Sequence, residues 1–560
     1  MAASAVRITF LGGLGEIGRN CAAIEIDDRI LMVDCGLMFP DDDMMGVDLV
    51  LPDFTWLKER ADKIDGCVIT HGHEDHMGAL AYWLADYAKV ADRPLKLIGS
   101  ALTLGLARGR VEEAGLVKHA EFVVVKDGER RTFGKFDLEF LPVTHSVPHG
   151  FATVIHSPQG NILHTGDFKL DLTPVDNRLT DLARVGGISS SDGIRLLLSD
   201  STNADQHGHA ASERSIGVVL YDLMHEHEGR RIITACFASH IHRVQQIADA
   251  ARSFGRVIAP LGRSMRRNID LARELGVLDL PDSALIDIDS IDDHEPGKVC
   301  VVSTGSQGEP MSALALLAGN DNRWLKITPD DTVILSSHPI PGNEGAVTRV
   351  IDNLFRLGAE VVHSGIADVH ASGHAKQEDL KLFLSVARPE HFVPVHGEYR
   401  HMVAHARLAT KMGVRESNVI VAEDGDQLIL DDDGLRLGGR IPAEYIFVHG
   451  TVGDVGVSTI GERRVLGSEG MVSAIVCVDR ERREIVAGPE IISRGWLSRD
   501  DSSNRTDAVR TAVRTAVERA MNDPKDDLRN LDKVVRRAAG SMVSEQTRRR
   551  PMIVPVVIDA

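Results

Sequence analysis

The densest group of candidate metal ligands in this sequence lies in one short segment. It reads Thr70-His71-Gly72-His73-Glu74-Asp75-His76 and follows the apolar run Cys67-Val68-Ile69. That run is typical of a buried strand, so the ligands are expected on the loop that leaves its end. Imidazole and carboxylate groups together suit Zn²⁺ or Mn²⁺. The alternative is a histidine-rich surface loop in a chain with 24 histidines, but H-x-H-x-D-H is far denser than chance supplies.

Further polar residues follow other apolar runs downstream. His145, Asp167 and Asp200 each come at or just after a predicted strand end. His374 and His396 follow in succession near the ends of later runs. Single histidines at strand ends are usually structural, but this series after an H-x-H-x-D-H segment favours a functional constellation.

The glycine-rich stretch Gly12–Gly18 matches G-x-G-x-x-G, with Asp34 where a ribose-binding acid would stand. A dinucleotide site needs that motif to open a helix inside a βαβ unit. The runs Cys21–Ile26 and Arg29–Val33 instead flank Asp27-Asp28, which indicates a hairpin. We therefore reject nucleotide binding here. Asp34 is either a hydrogen-bond partner for a ligand histidine or an ordinary turn residue.

The sequence changes character near residue 211. Helical patterns over 212–228, 240–254 and 264–276 alternate with short apolar strands, which predicts a separate α/β domain with a parallel sheet. Beyond residue 450 we predict a further unit. It has strands near 470–478 and 483–487, a helix over 504–521, a charged stretch over 524–550 and a last strand over 553–558. We find no chemistry in that unit, and favour dimerisation over RNA contact as its role.

Composition bounds the function. The chain has 560 residues, enough for about three domains, and a formal charge of −19. That charge argues against non-specific coating of nucleic acid. The six cysteines form no C-x-x-C pair and are expected to be reduced core thiols. We see neither a signal-peptide stretch nor a membrane span, and expect a cytoplasmic protein without membrane contact.

The constellation resembles a known family. The set His71, His73, Asp75, His76, His145 and Asp167 is similar to the metallo-β-lactamase hydrolase signature. Asp200, His374, His396 and the inserted domain resemble the β-CASP subgroup of nucleic-acid processing enzymes. Four stretches resemble bacterial ribonuclease J: Gly15–Asn20, Ser303–Pro310, His370–Ala375 and Pro394–His401. Two positions differ from that family's usual pattern: His149, where a residue other than His is usual, and His449, where a carboxylate is common.

The resemblance implies an α/β fold, namely a metallo-β-lactamase αββα sandwich with an inserted β-CASP domain and a small C-terminal α/β domain. The expected boundaries are 1–210 and 361–449 for the two parts of the sandwich, 211–360 for the insertion and 450–560 for the C-terminal domain. It also implies two divalent metal ions, Zn²⁺ or Mn²⁺. One would be held by His71, His73 and His145, the other by Asp75, His76 and His396, with Asp167 bridging.

The resemblance further assigns catalytic roles. Asp75 would orient the attacking hydroxide, His374 would be the general acid, and Asp200 would orient a ligand or His374. The predicted substrate-binding residues are Ser239, His240, His370, Ala371, Ser372, Gly373 and His374. They would seat an RNA 5′-monophosphate. Basic candidates for an RNA channel are Arg263, Arg266, Arg267, Lys376 and Arg400.

The implied function is a 5′→3′ exoribonuclease that prefers 5′-monophosphate ends and has some endonuclease activity, in rRNA processing and mRNA decay. One alternative is a DNA-directed β-CASP nuclease. Another is a thioester hydrolase of the same fold, which would need neither the insertion nor His374. A non-catalytic RNA scaffold would require lost ligands, and none is lost. Expected partners are single-stranded RNA, a second copy in a homodimer or larger homo-oligomer, and RNA-decay or ribosome components.

Overall fold

The structure is a computed structural model. It describes residues 4–41, 43–309, 311–340, 343–450, 453, 455–497, 502–523 and 528–560. The chain forms two compact units. The first contains residues up to Phe39 and Val50–Tyr445, and the second contains Pro40–Leu49 and Ile446–Ala560.

The first unit is built on two large sheets that face each other. The eight-stranded sheet has, in spatial order, the strands Gly434–Arg440, Asp426–Asp431, Val6–Gly12, Cys21–Ile26, Arg29–Val33, Ile64–Val68, Leu95–Gly99 and Ala120–Val124. The six-stranded sheet has the strands His391–Val395, Ile194–Asp200, Gly160–His164, Gly150–Ser157, Phe136–Val143 and Arg130–Phe133. The predicted hairpin is confirmed, because Cys21–Ile26 pairs antiparallel with Arg29–Val33. A short parallel pair joins Leu14–Gly15 to Gly397–Glu398.

The inner faces of these sheets share one aliphatic core. Ile8 and Ile24 from the first sheet pack with Phe136 and Leu198 from the second. The outer face of the six-stranded sheet is covered by helices whose apolar side chains include Phe383. Helices on both outer sides complete an αββα sandwich, and burying two apolar sheet faces against each other is what stabilises it.

The inserted domain has a five-stranded sheet in which every pairing is parallel. Its strands, in spatial order, are Val257–Leu261, Val299–Ser303, Arg231–Ala235, Asp331–Leu335 and Glu360–Val362. The strands Val299–Ser303 and Asp331–Leu335 are buried along their whole length, as expected for a sheet covered by helices on both faces. A separate aliphatic core fills this domain.

Helices connect these strands. The α-helices of the first unit are Thr55–Lys58, Glu74–Met77, Leu80–Val90, Ala101–Glu113, Leu182–Ser191, Glu213–Glu226, Ile241–Ser253, Arg263–Glu274, Ala313–Ala318, Glu344–Arg356, Gln377–Ala387 and Tyr399–Lys411. Its 3₁₀ turns are Ala61–Lys63, Val117–His119, Asp282–Ala284, Ile288–Asp293, Pro296–Lys298 and Glu416–Asn418. The predicted helices over 212–228, 240–254 and 264–276 differ from the observed ones by at most two residues at either end.

The second unit has a three-stranded sheet with the strands Glu484–Arg494, Met471–Asp479 and Met552–Asp559. Its helices are Val457–Glu469, Ser502–Asn522 and Leu531–Thr547, with a 3₁₀ turn at Leu528–Asn530. The last two α-helices share an apolar core with the sheet. The helix Leu531–Thr547 lies in the stretch that the sequence marked only as charged.

The described cysteines are free thiols, as predicted, and five of the six are buried. Among the helices that the structure describes, none is long and apolar enough to cross a membrane. The domain boundaries given above stay predictions.

Candidate metal centre and active site

The ligand segment leaves the strand Ile64–Val68, as its sequence predicts. The turn is fixed from behind by Asp34, whose carboxylate accepts hydrogen bonds from the Thr70 backbone N–H at 2.8 Å and the Thr70 hydroxyl at 2.9 Å. His73 occupies the N-cap position of the short helix Glu74–Met77. This path brings His71, His73, Asp75 and His76 to one side of the loop, where they join residues from the second sheet.

The first ligand set consists of His71, His73, His145 and Asp167. Nδ1 of His73 lies 3.0 Å from Nε2 of His71 and 3.1 Å from Nε2 of His145. An Asp167 carboxylate oxygen lies 3.6 Å from Nε2 of His71 and 3.8 Å from Nε2 of His145. Nitrogen ligands on one tetrahedral zinc ion stand about 3.3 Å apart. The set therefore has the spacing of a metal site.

The second ligand set consists of Asp75, His76, Asp167 and His396. Nε2 of His76 lies 3.2 Å from Asp167 Oδ2 and 3.5 Å from Asp75 Oδ2. Nε2 of His396 lies 3.5 Å from the same Asp167 oxygen and 3.9 Å from Asp75 Oδ2. Asp167 thus belongs to both sets, the position that a carboxylate bridging two cations would occupy.

The carboxylate of Asp167 tests whether these residues fit metal ions. Both of its oxygens are buried and lack a well-aligned hydrogen bond from the described residues, although Nε2 of His76 lies 3.2 Å from Oδ2. Burying a carboxylate without a proton donor or cation is strongly unfavourable. Nε2 of His396 is likewise buried without a hydrogen-bond partner in the described chain. Oxygen and imidazole nitrogen are the atoms that zinc and manganese bind, so the two sets fit divalent cations.

The charges around the site indicate the same requirement. Burial lowers the pKa of His73 to about 4 and that of His71 well below its usual value. Burial alone would also lower the pKa of His76, but the Asp167 and Asp75 carboxylates, together with Asp34, raise it well above the usual value. The site therefore favours positive charge beside its carboxylates while keeping other imidazoles neutral and able to bind metal.

Partners on the far side of the rings orient two of the ligands. Nδ1 of His145 donates to the Gly373 carbonyl oxygen at 2.8 Å, and Nδ1 of His76 lies 2.8 Å from Asp34 Oδ2. The proton on Nδ1 of His145 leaves the lone pair of that ring on Nε2, and Nε2 of His76 faces Asp167 Oδ2 at 3.2 Å. Asp34 therefore orients His76, one of the two roles that the sequence left open.

His374 lies beside the two ligand sets, with Asp200 behind it. Nδ1 of His374 lies 2.8 Å from Asp200 Oδ2 and 4.0 Å from Asp167 Oδ2. Asp200 is buried, and its other oxygen accepts the Thr202 N–H at 2.9 Å. Burial would lower the pKa of His374, but the Asp200 carboxylate, followed by Asp167 and Asp75, raises it to about 9. The neighbouring carboxylates therefore favour the positively charged form of the ring.

The loop His370–His374 contains most of the predicted substrate-binding residues. Ala371 and Gly373 are buried, and the Ser372 hydroxyl accepts from Asn203 Nδ2 at 2.7 Å. Burial, with Arg243 and His240, lowers the pKa of His370 to about 3. Through the Gly373 carbonyl, this loop contacts His145 of the first ligand set.

The inserted domain contributes Ser239 and His240 at the end of the strand Arg231–Ala235. Ser239 is partly exposed, whereas the buried His240 ring lies 3.3 Å from Glu213. The sequence gave no prediction for Arg243, which is buried, donates to Glu213 at 2.8 Å and donates to the Val369 carbonyl at 2.8 Å. Arg243 therefore anchors the loop His370–His374 to the inserted domain. An arginine on the buried face of the helix Ile241–Ser253, among mainly apolar residues, was the available signal.

The predicted basic channel residues have different surroundings in the structure. Arg263, Arg266 and Arg267 line one cavity of about 450 Å³. Arg267 is paired with Glu113, and Arg400 with Glu398. Lys376 donates its backbone N–H to Asp379 at 3.1 Å. A role for these five residues in an RNA channel stays a prediction.

The fold and the paired ligand sets define a hydrolase of the metallo-β-lactamase class with an inserted α/β domain. Family models divide the chain in the same way. The metallo-beta-lactamase superfamily matches residues 14–201, the ribonuclease J beta-CASP domain 229–354, the Zn-dependent metallo-hydrolase RNA specificity domain 358–422 and the ribonuclease J C-terminal domain 458–560.

Relatives that match over nearly their full length identify the family within this class. The chain is 41% identical to Ribonuclease J of Mycolicibacterium smegmatis, covering 100% of this chain and 98% of the relative. It is 38% identical to Ribonuclease J 1 of Streptococcus pyogenes, covering 99% and 97%. It is 34% identical to Ribonuclease J2 of Bacillus subtilis, covering 99% and 98%. The chain belongs to the ribonuclease J family.

A solved structure of a protein of unknown function from Enterococcus faecalis V583 shares the fold. It superposes with a TM-score of 0.53 at 15% identity, covering 76% of this chain and 100% of that one.

Proposed function

We propose that this chain is a metal-dependent ribonuclease that hydrolyses RNA phosphodiester bonds. We also propose the finer activity, which is removal of nucleotides in the 5′→3′ direction with a preference for 5′-monophosphate ends, together with some endonuclease activity. Family membership supports the ribonuclease class. The observation that carries the proposal is Asp167, a buried carboxylate shared by two complete ligand sets.

The ligand roles follow from the two sets. His71, His73 and His145 would hold one divalent cation, and Asp75, His76 and His396 the other, with Asp167 shared. When bound, two such cations, Zn²⁺ or Mn²⁺, lower the pKa of water and neutralise charge on the phosphoryl oxygens. Asp75, the one partly exposed member of the second set, is proposed to orient the attacking oxygen.

His374 is proposed to protonate the departing 3′-oxygen. Its Nδ1–H points at Asp200, so the proton available to substrate is the one on Nε2. Asp200 keeps that imidazole charged at neutral pH, because it raises the pKa of His374 against the effect of burial. Asp200 thus acts through His374, and both residues serve the leaving group rather than the nucleophile.

The loop His370–His374, with Ser239 and His240, is proposed to seat the substrate phosphate. The loop contacts the first ligand set through Gly373, and Val369, the residue before the loop, accepts a hydrogen bond from Arg243 of the inserted domain. A phosphate held there stands at a fixed distance from the metal ligands. That arrangement favours stepwise removal from a monophosphorylated 5′ end.

Two alternatives share parts of this site. A DNA-directed nuclease of the same subgroup would use the same ligands, but the match to an RNA specificity domain at 358–422 favours RNA. A thioester hydrolase would need neither His374 with Asp200 nor the inserted domain, and this chain has both. The homodimer, the RNA-decay and ribosome partners and the cytoplasmic location stay predictions.

The test uses purified protein with Mn²⁺ and a 3′-labelled single-stranded RNA that carries a 5′-monophosphate. Parallel reactions use the 5′-triphosphate RNA and the matching DNA. His374→Gln is compared with His225→Gln, an exposed histidine of the inserted domain. We expect progressive 5′ shortening of the monophosphate RNA, reduced at least about 100-fold in His374→Gln and unchanged in His225→Gln.

The other outcomes separate the alternatives. Equal cleavage of DNA and RNA would contradict RNA specificity. Metal binding without cleavage of either polymer would refute the nuclease assignment and direct the search to thioesters. Full activity in His374→Gln would refute the general-acid role.

A further inference from the structure

Asn20 lies where the glycine-rich stretch Gly12–Gly18 meets the strand Cys21–Ile26. No described helix begins in this stretch, so it does not build a dinucleotide site. Instead, Leu14–Gly15 pairs with Gly397–Glu398, directly after the metal ligand His396. The stretch therefore runs alongside the second ligand set.

The Asn20 side chain contacts three members of that set. Its Nδ2 donates to the Asp75 carbonyl oxygen at 3.0 Å and lies 3.2 Å from Nε2 of His76. Its Oδ1 lies 2.9 Å from Nδ1 of His396. The Asn20 backbone N–H also donates to the Asp75 carbonyl oxygen at 3.0 Å. One amide thus joins ligands that are more than 300 positions apart in the chain.

The contacts fix which end of the amide faces which partner. The Asp75 carbonyl can only accept a hydrogen bond, so the NH₂ end of Asn20 must face it. Oδ1 then faces His396 and can only accept, so Nδ1 of His396 carries the proton. The lone pair of His396 is left on Nε2, which points at Asp167 Oδ2 at 3.5 Å.

His396 depends on this contact. Its backbone has a left-handed φ of 51°, and its carbonyl accepts from Ser201 at 3.1 Å and Thr202 at 3.2 Å. Among the described residues, Asn20 provides the one side-chain hydrogen bond to the His396 ring. Without it, the ring could exchange its protonated and unprotonated nitrogens.

The segment before Asn20 is held in place. The buried Arg19 guanidinium pairs with Glu16 and Asp424, each at 2.8 Å, and stacks 4.2 Å from the Tyr445 ring centre. The Arg19 backbone N–H donates to Leu37 at 3.0 Å. Because the backbone beside Asn20 is fixed, the amide cannot follow a ligand that moves.

We propose that Asn20 is a positioning residue for the second metal: it sets the tautomer of His396 and holds that ring against Asp75 and His76. The proposal rests on the two-metal site of the proposed function. The first set has other supports, namely Thr70 beside His71, Ser146 beside His73 and Gly373 beside His145. Loss of Asn20 should therefore weaken one metal and spare the other.

The experiment measures Mn²⁺ binding to the metal-free full chain by calorimetry, without any activity assay. Asn20→Ala removes the amide, and Asn20→Asp keeps an acceptor for His396. The matched control is Asn161→Ala, because Asn161 Oδ1 makes the same kind of bond to His156 Nδ1 at 2.7 Å away from the metal ligands. Nitrogen-15 NMR of the histidine rings reports the tautomer of His396 directly.

Wild type is expected to bind two ions. Asn20→Ala should bind one with wild-type affinity and the other about 10- to 100-fold more weakly, the usual effect of removing a partner that orients a ligand. Asn20→Asp should recover most of that loss, and Asn161→Ala should keep both ions. In the metal-free protein, His396 should change from one tautomer in wild type to a mixture in Asn20→Ala.

The contrary outcomes are distinct. If Asn20→Ala binds both Mn²⁺ ions with wild-type affinity, the proposal is overturned and the two-metal site is unaffected. An equal loss of Mn²⁺ affinity in Asn161→Ala would indicate a general effect on folding and would also overturn the proposal. No recovery in Asn20→Asp would refute the acceptor role. Fewer than two ions in wild type would instead refute the two-metal site itself.

Discussion

At the scale of single residues, each orienting contact lies on the far side of a histidine ring. His76 has Asp34 behind it, His145 has the Gly373 carbonyl, and His374 has Asp200. A neutral partner such as the carbonyl sets the tautomer alone, whereas a carboxylate also stabilises the charged ring. His145 and His374 differ in this way, whereas His76 has a carboxylate behind it and still belongs to a ligand set.

Asp200→Asn should change the pH dependence of catalysis. Asp200 raises the pKa of His374 to about 9, and the general acid is active when protonated, so activity declines as pH rises through that pKa. Removing the carboxylate charge should move the alkaline limb of the kcat profile to lower pH by about one unit or more. Profiles of kcat from pH 6 to 10 measure it. Asp222→Asn, an exposed control, should not move the limb, and an unmoved limb in Asp200→Asn would contradict the role.

The ligand types were predictable from sequence because H-x-H-x-D-H places several donors on one turn. His145, Asp167, His374 and His396 could be placed only as polar residues near strand ends. Bringing them together depends on parallel strands such as Gly160–His164 and Ile194–Asp200, whose pairing is set by non-local contacts. Asn20 and Arg243 were missed because their partners lie far away in sequence and only the folded chain shows them.

At the scale of elements, helix ends agreed with the sequence where apolar spacing was strong. The helix Leu531–Thr547 was missed because its many charged residues hid the regular spacing of Leu531, Val535, Ala539 and Val543. All four are buried in the core of the second unit. An apolar residue at every fourth position is the signal that would have revealed this helix.

Val535→Asp should unfold the second unit. Val535 is fully buried there, and an unpaired buried carboxylate should cost about 3 kcal/mol or more. Limited digestion with trypsin should then cleave at the Lys and Arg residues beyond position 455 much faster than in wild type. Arg536→Asp, on the exposed face of the same helix, is the matched control and should digest slowly. Equal digestion of both variants would contradict the observed packing.

His405 should make the fold sensitive to acid. Burial lowers its pKa to about 3, below the value of about 6.5 in an unfolded chain. Between these values the unfolded state binds more protons, so the free energy of unfolding falls as pH decreases, by up to about 1.4 kcal/mol per pH unit from this group.

His405→Gln should therefore reduce the difference in Tm between pH 7.5 and pH 5.5, measured on metal-free protein. His225 is exposed in the folded chain as it is in the unfolded one, so His225→Gln should leave that difference unchanged. The prediction fails if acidification lowers the Tm of His405→Gln and of wild type by the same amount.

At the scale of the whole molecule, a chain with a formal charge of −19 is assigned to a polyanionic substrate. Divalent cations held by the two ligand sets would supply the positive charge that such a substrate needs at the site. Carboxylates there are shared between ligand sets that favour cations, and His374 carries its own positive charge. Sequence predicted the αββα sandwich through family resemblance, because composition and periodicity alone give only an α/β chain with several domains.

The most direct test of the account is reconstitution of metal-free protein with Mn²⁺ while RNA cleavage and bound metal are followed together. We expect no cleavage of 5′-monophosphate RNA without metal and recovery that is complete at two ions per chain. Asp167→Asn, which removes the shared carboxylate charge, should bind metal more weakly and lose at least about 1,000-fold in rate. Cleavage that persists after chelation, or full activity of Asp167→Asn, would contradict the two-metal ribonuclease.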